Sequence, residues 1–178
     1  LSSTNLLNPA NGNPIVFPSQ DMVVGINYLT RVREGAPGEG KYFDSEEDVH
    51  LALEAESIGY NSKINVKIDG EWIETTAGRV LFSEEMPDEL GFINFQLGEK
   101  ELRKLIARAH AELGSSSVVS MLDTIKDVGF RYATLFGATI GVDDVVIPDE
   151  KRPMIDSANN RVLEIQNQYL QGHITQEE

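Results

Sequence analysis

Val24, Tyr28 and Val32 stand four residues apart behind an aspartate at position 21, and this spacing predicts a helix over 21–32 with Asp21 as its cap. The stretch before it, residues 1–20, is rich in Pro and Asn and shows little periodicity, so it reads as ordered loop. Residues 33–41 (REGAPGEGK) read as a flexible surface loop. A second helix is expected from Asp44 or Ser45. Glu46, Glu47 and Asp48 suit the positive end of its dipole, Val49, Ala52, Leu53 and Ala55 form its apolar stripe, and Gly59 closes it. The period then drops to two. Lys63 to Ile68 alternates polar and apolar as a half-buried strand does, Asp69-Gly70 is a hairpin turn, and Glu71 to Glu74 is the returning strand. Thr75 to Phe82 either continues the strand or opens the next element.

Helical spacing returns after Pro87. Leu102, Leu105, Ile106, Ala109 and Leu113 form one stripe that Gly114 stops. Ser115 to Ser117 cap a further helix with Val118, Met121, Leu122 and Ile125 on its buried side, ended by Gly129. A short buried helix is expected over 130–136. From Asp149 onward Ile155, Ala158, Val162, Ile165 and Tyr169 recur at intervals of three and four, a coiled-coil seam that Gly172 interrupts. The expected class is α+β: mainly helical, with a small antiparallel hairpin or sheet and a long C-terminal helix.

Charge narrows the functions. The 178 residues carry 29 carboxylates against 15 Lys and Arg, a net charge of −14. Phosphate binding draws its non-specific affinity from clustered cations, so weak or no nucleic-acid binding by the chain alone is expected. Cysteine is absent and only three histidines occur, which excludes disulfides and thiolate metal sites and argues against a histidine-built one. The lack of cysteine fits a reducing cytosol. No apolar run approaches the length of a membrane span. The chain starts at Leu1, and its helical seam has no partner in the sequence, so it reads as cut from something longer.

Candidate chemistry is sparse. Asp143 and Asp144 are hard-cation ligands by type, but neighbours on an extended stretch point apart; the expectation is that one caps the following turn and the other meets solvent or pairs with an Arg. Gly35, Gly38 and Gly40 precede no Lys-Ser/Thr pair and make no phosphate loop. No strained Ser elbow is present for a hydrolase triad. Gln20 and Asn5 are the most interesting polar residues. Each has a side chain that both donates and accepts, which would at minimum hold the loop through backbone carbonyls.

Two long segments carry a resemblance. NLLNPANGNPIVFPSQDMVVG (5–25) and GFRYATLFGATIGVDDVVIP (129–148) resemble, in the same order, segments of the β′ subunits of bacterial RNA polymerase. TTAGRVLFSEEMP (75–87), GFINFQLGEKELRKLI (91–106), IPDEK (147–151) and EIQNQYLQGHIT (164–175) extend it over nearly the whole chain. The loop at 33–43 and the hairpin at 60–74 fit least well. The resemblance implies that residues 1–32 end the active-site domain, 33–148 form the pore, or secondary-channel, domain, and 149–178 begin the rim-helix coiled coil. In that family the region follows the loop NADFDGD, which holds the active-site Mg²⁺. That loop is absent here, so no cofactor is expected in this segment and the isolated chain should be inactive.

By the same resemblance, Gln20, and less strongly Asn5, would face the incoming nucleotide or the backtracked RNA 3′ end. Lys151 and Arg152 would serve the docking of channel-entering regulators of the transcript-cleavage type. The other polymerase subunits (β, α, ω and sigma) are the implied partners, and the cytoplasm the implied location. From a different class, the composition also suits a stand-alone acidic protein-interaction module with a polymerase-like fold.

Overall fold

The structure, a computed structural model, describes residues 15–175. Asn5, one of the candidate residues, lies outside them. The described chain divides into two compact units, one running to Ala138 and the other beginning at Thr139.

In the first unit the elements are α1 (Asp21–Thr30), β1 (Tyr42–Phe43), α2 (Glu46–Glu54), β2 (Lys63–Ile68), β3 (Glu71–Thr76), α3 (Ala77–Glu84), a short 3₁₀ turn (Asp88–Leu90) and α4 (Glu99–Phe136). This is the expected α+β class. The hairpin forms where the alternation places it: β2 and β3 pair antiparallel with Lys63 opposite Thr76 and Ile68 opposite Glu71. Asp69 and Gly70 both take positive φ, at 51° and 86°, as a tight hairpin turn requires. The two-residue β1 adds to β2 in parallel, so the sheet order is β1-β2-β3 and the sheet is mixed.

Local chemistry sets the helix ends. The Ser45 hydroxyl accepts the Asp48 N–H (3.2 Å) to start α2, and the Thr76 hydroxyl accepts the Arg79 N–H (3.3 Å) to turn β3 into α3. Helix α2 stops short of Gly59. Glu56 takes φ 52°, its N–H donates to the Leu53 carbonyl, and the Ser57 N–H and hydroxyl both donate to Ala52. Those bonds satisfy the terminal carbonyls without a glycine.

Gly114 marks the expected break: at φ 79°, ψ 171° it separates the two halves of α4. Gly129 does not end a helix. The second half of α4 runs through it to Phe136 and closes at Gly137, whose φ of 57° is a left-handed cap. The expected separate buried helix over 130–136 is therefore the last two turns of α4. Phe130 and Leu135 are exposed there, because Tyr132, Ala133 and Phe136 are the residues that turn toward the rest of the unit.

Two cores form. The larger joins Ile26 and Leu29 of α1 to Phe82, Leu97, Leu102, Ile106, Ile125 and Val128. The smaller lies beneath the sheet, where Val49, Ile64, Val66, Ala77 and Val80 meet. Helix α1 forms as its spacing predicts, but its buried side is Gly25, Ile26, Leu29 and Thr30, while Val24 and Val32 are exposed. Gly25 decides this, because with no side chain it lets the α1 backbone lie against Gly129 of α4.

The second unit holds a 3₁₀ turn (Val142–Asp144) and α5 (Lys151–Leu170). Ile155, Val162, Ile165 and Tyr169 of the seam are all exposed, and no residue of α5 is buried. No described helix is long and apolar enough to cross a membrane.

Candidate functional site

The outer face of α1 gathers the polar and aromatic groups with a chemical use. It begins at Gln20. The Met22 N–H donates to the Ser19 carbonyl (3.2 Å), closing a turn whose second residue is Gln20 at φ 50°, ψ −124°. That is the region a type II′ turn requires, and glycine is its usual occupant. A glutamine there costs on the order of 1–3 kcal/mol of backbone strain. The Gln20 carbonyl accepts the Val24 N–H (3.1 Å) to begin the helix, and its exposed side chain makes no capping bond. Asp21 is thus the first helical residue and not the cap.

Val24 and Asn27 share one face of α1, with Gln20 just before the helix and Arg31 just after it. Asn27 is fixed from both sides: its amide donates to the Leu97 carbonyl (3.0 Å), and its oxygen accepts from the Gln96 amide (3.3 Å). Tyr28 stacks on Phe136 at the end of α4, with centroids 4.8 Å apart and planes 27° from parallel. The Arg31 guanidinium lies 5.0 Å from both ring centroids. Val23, Val24, Asn27, Tyr28, Arg31 and Phe136 line a cleft of about 210 Å³.

Behind this face, Arg79 pins the end of α1. Its Nε donates to the Thr30 carbonyl (2.9 Å) and an Nη to the Asn94 side chain (3.1 Å). The Asn94 amide in turn donates to the Glu74 carbonyl, tying β3 in. Burial pushes the Arg79 guanidinium below its ordinary value, though an arginine stays charged at any working pH. Gly78 beside it permits close approach: a Cβ there would overlap the Leu29 carbonyl.

The other candidates sit elsewhere. Asp144 accepts the Gly141 N–H (2.7 Å), so it holds the 3₁₀ turn, and Asp143 is exposed. Among the described residues no three His, Asp or Glu side chains are grouped to hold a metal ion. Lys151 and Arg152 are the first two residues of α5 in the second unit, both exposed. Cations at a helix N-terminus oppose the dipole, so helix stability does not explain their placement.

Sequence reasoning did not single out Arg31 or Phe136. The tyrosine-to-arginine interval of three at 28 and 31 was the available signal, but Phe136 reaches them only through the Gly25–Gly129 contact.

Residues 5–145 match the family described as RNA polymerase Rpb1, domain 3. Over all 178 residues the chain is 51% identical to the DNA-directed RNA polymerase subunit beta' of Borrelia turicatae and 52% identical to that of Borreliella burgdorferi strain ZS7. It is 48% identical, over 184 aligned positions, to that of Treponema pallidum. In each case the whole chain is covered, and it spans about 13% of the relative's length.

Proposed function

The chain belongs to the RNA polymerase Rpb1 domain 3 family as a segment of a β′ subunit, and from that premise we propose that it forms part of the wall of the secondary channel. Nucleotides would reach the active centre along this wall, and backtracked RNA would be extruded past it. In this reading residues 1–32 close the active-site domain, 33–148 form the pore domain, and α5 begins the rim coiled coil.

The observation that carries the reading is the strained turn at Gln20. Strain at an exposed residue persists where the surrounding fold enforces it, and such sites cluster where a side chain must be aimed. Gln20, with Asn5 as its lesser companion, would meet the incoming nucleotide or the RNA 3′ nucleotide through an amide that can both donate and accept. Lys151 and Arg152 would offer charge to a regulator docking on the rim helix, at a helix end that does not need them.

The net charge of −14 suits a wall that passes nucleotides as their Mg²⁺ complexes without gripping the duplex. The catalytic Mg²⁺ would be held by residues outside this chain. Its work would be to activate the 3′ hydroxyl and stabilise the leaving pyrophosphate. The other polymerase subunits would be the partners, and the cytoplasm the location.

The test is a Gln20→Ala substitution in the full-length subunit, assembled into polymerase. A several-fold rise in nucleotide KM, or a several-fold slower cleavage of backtracked RNA, is expected with assembly unchanged. Wild-type values for both would overturn the role of Gln20.

A further inference from the structure

Arg31 belongs to the part of the α1 face that the channel reading does not use. Its guanidinium carries five N–H donors, and no described acceptor takes any of them. The Nε atom is fully buried with no hydrogen-bond partner. Leaving a buried donor of a charged group unsatisfied is destabilising, more so than for a neutral donor. Arg103, Arg108 and Arg161 each pair with a glutamate three or four residues away, and Arg33, Arg131 and Arg152 are exposed, so among the described arginines Arg31 alone has a buried side-chain nitrogen without a partner. Arg31 instead lies against the rings of Tyr28 and Phe136, which hold the guanidinium in place. A guanidinium so held has already lost much of its side-chain freedom, and Arg31 lines the cleft.

We propose that Arg31 is a receptor for the carboxylate of an aspartate or glutamate side chain on a partner polypeptide. Three observations choose this occupant. The unfilled donors call for an anionic acceptor, and a carboxylate matches the guanidinium fork bidentately. The cleft of about 210 Å³ is smaller than the roughly 300 Å³ at which small-molecule pockets begin, so it suits one side chain and not a nucleotide. Val23 and Val24 line it with apolar surface for the aliphatic stem of that side chain. Residues 1–14 contain no Asp or Glu, so the first stretch of this chain is not the source.

The experiment uses the whole chain, with the Nε–Hε signal of Arg31 and the ring protons of Tyr28 and Phe136 followed by nuclear magnetic resonance. An Overhauser contact between the two rings verifies the site in each variant. The probes are butyrate, its neutral counterpart butyramide, and inorganic phosphate. Butyrate is expected to give a saturable shift with a Kd on the order of millimolar, and butyramide at most a third of that shift. Arg31→Lys keeps the charge without the fork and should weaken butyrate at least fivefold. Arg31→Met should abolish the ring response. An equal response to butyramide would reduce the cleft to an apolar pocket, and undiminished binding by Arg31→Lys would reduce Arg31 to a point charge. Phosphate tighter than butyrate would make the ligand a phosphate, and no saturable response in the wild type would remove the site. Each of these four results overturns the proposal, and none bears on Gln20.

Discussion

Gly25 of α1 and Gly129 of α4 meet backbone to backbone: a Cβ built on Gly25 would overlap the Gly129 carbonyl oxygen, and one on Gly129 would lie 2.8 Å from the Cα of Met22. Each glycine falls inside one of the two segments that carry the family resemblance, so the resemblance marks a packing contact. The obstructing atoms are main chain, and neither helix can yield by changing a rotamer. Gly25→Ala and Gly129→Ala should each destabilise the chain by about 3 kcal/mol or more, the upper end of overpacking costs. Gly141→Ala is the control. Its Cβ would find only an ordinary 3.5 Å contact at a negative φ, and a change within about 0.5 kcal/mol is expected. Urea midpoints for the three variants test this, and a Gly25→Ala value near the control would refute it.

Thr75 presents the opposite case. It is 2% exposed, lies opposite Ile64 in the hairpin, and its hydroxyl has no hydrogen-bond partner. Valine keeps the β-branched shape and removes the unsatisfied group. Thr75→Val should stabilise the fold by about 1 kcal/mol. The check is a higher urea midpoint at an unchanged m-value. A loss of stability would mean that the hydroxyl has a partner in solution.

Glu46 opens α2 in a crowd of like charge. Burial first, then Glu84, Glu47 and Asp69, raise its carboxyl above the ordinary 4.5, while His50 opposes them. A raised folded-state value means that ionisation disfavours the folded form. Its contribution is therefore fully favourable below the ordinary value and is lost as pH rises through the raised one. Most of the side chain meets water, so screening keeps the effect small. Glu46→Gln should raise stability at pH 7 by no more than about 0.5 kcal/mol and flatten its decline above pH 4.5. Thermal midpoints between pH 4 and 7 test the sign, and a lower midpoint at pH 7 would contradict it.

What the sequence disclosed follows from how local each signal is. The strand at 63–68 was legible because one buried face imposes strict alternation, and the turn because only a few residue pairs tolerate two positive φ values. The start of α2 was legible from Ser45, whose hydroxyl acts within its own turn. Two-residue β1 was not, since a pair of residues has no period. The buried face of α1 was misjudged because three large apolar residues outweigh one glycine in any periodicity, although Gly25 sets the contact. The same contact explains Gly129, a helix stop by residue type that a facing backbone keeps helical. At the candidate site, Gln20 could be named from its setting, but its strain is a matter of φ and ψ. Arg31 required knowing that no described carboxylate pairs with it, which only the assembled fold reveals.

Gln20 lets stability and function be separated. Its φ of 50° and ψ of −124° suit glycine, and its side chain makes no capping bond. Gln20→Gly should then relieve strain and stabilise the fold by about 1 kcal/mol, less the entropy that glycine adds to the unfolded chain. A residue kept only to hold the loop would give the reverse, because the amide's bonds would be lost. Within an assembled polymerase the same variant should handle nucleotides or backtracked RNA worse, as is expected of Gln20→Ala. The informative result is the pair: a more stable chain with a weaker enzyme means the glutamine is kept for what it touches. A less stable chain with full activity would assign it to the loop and leave the channel face without its polar contact.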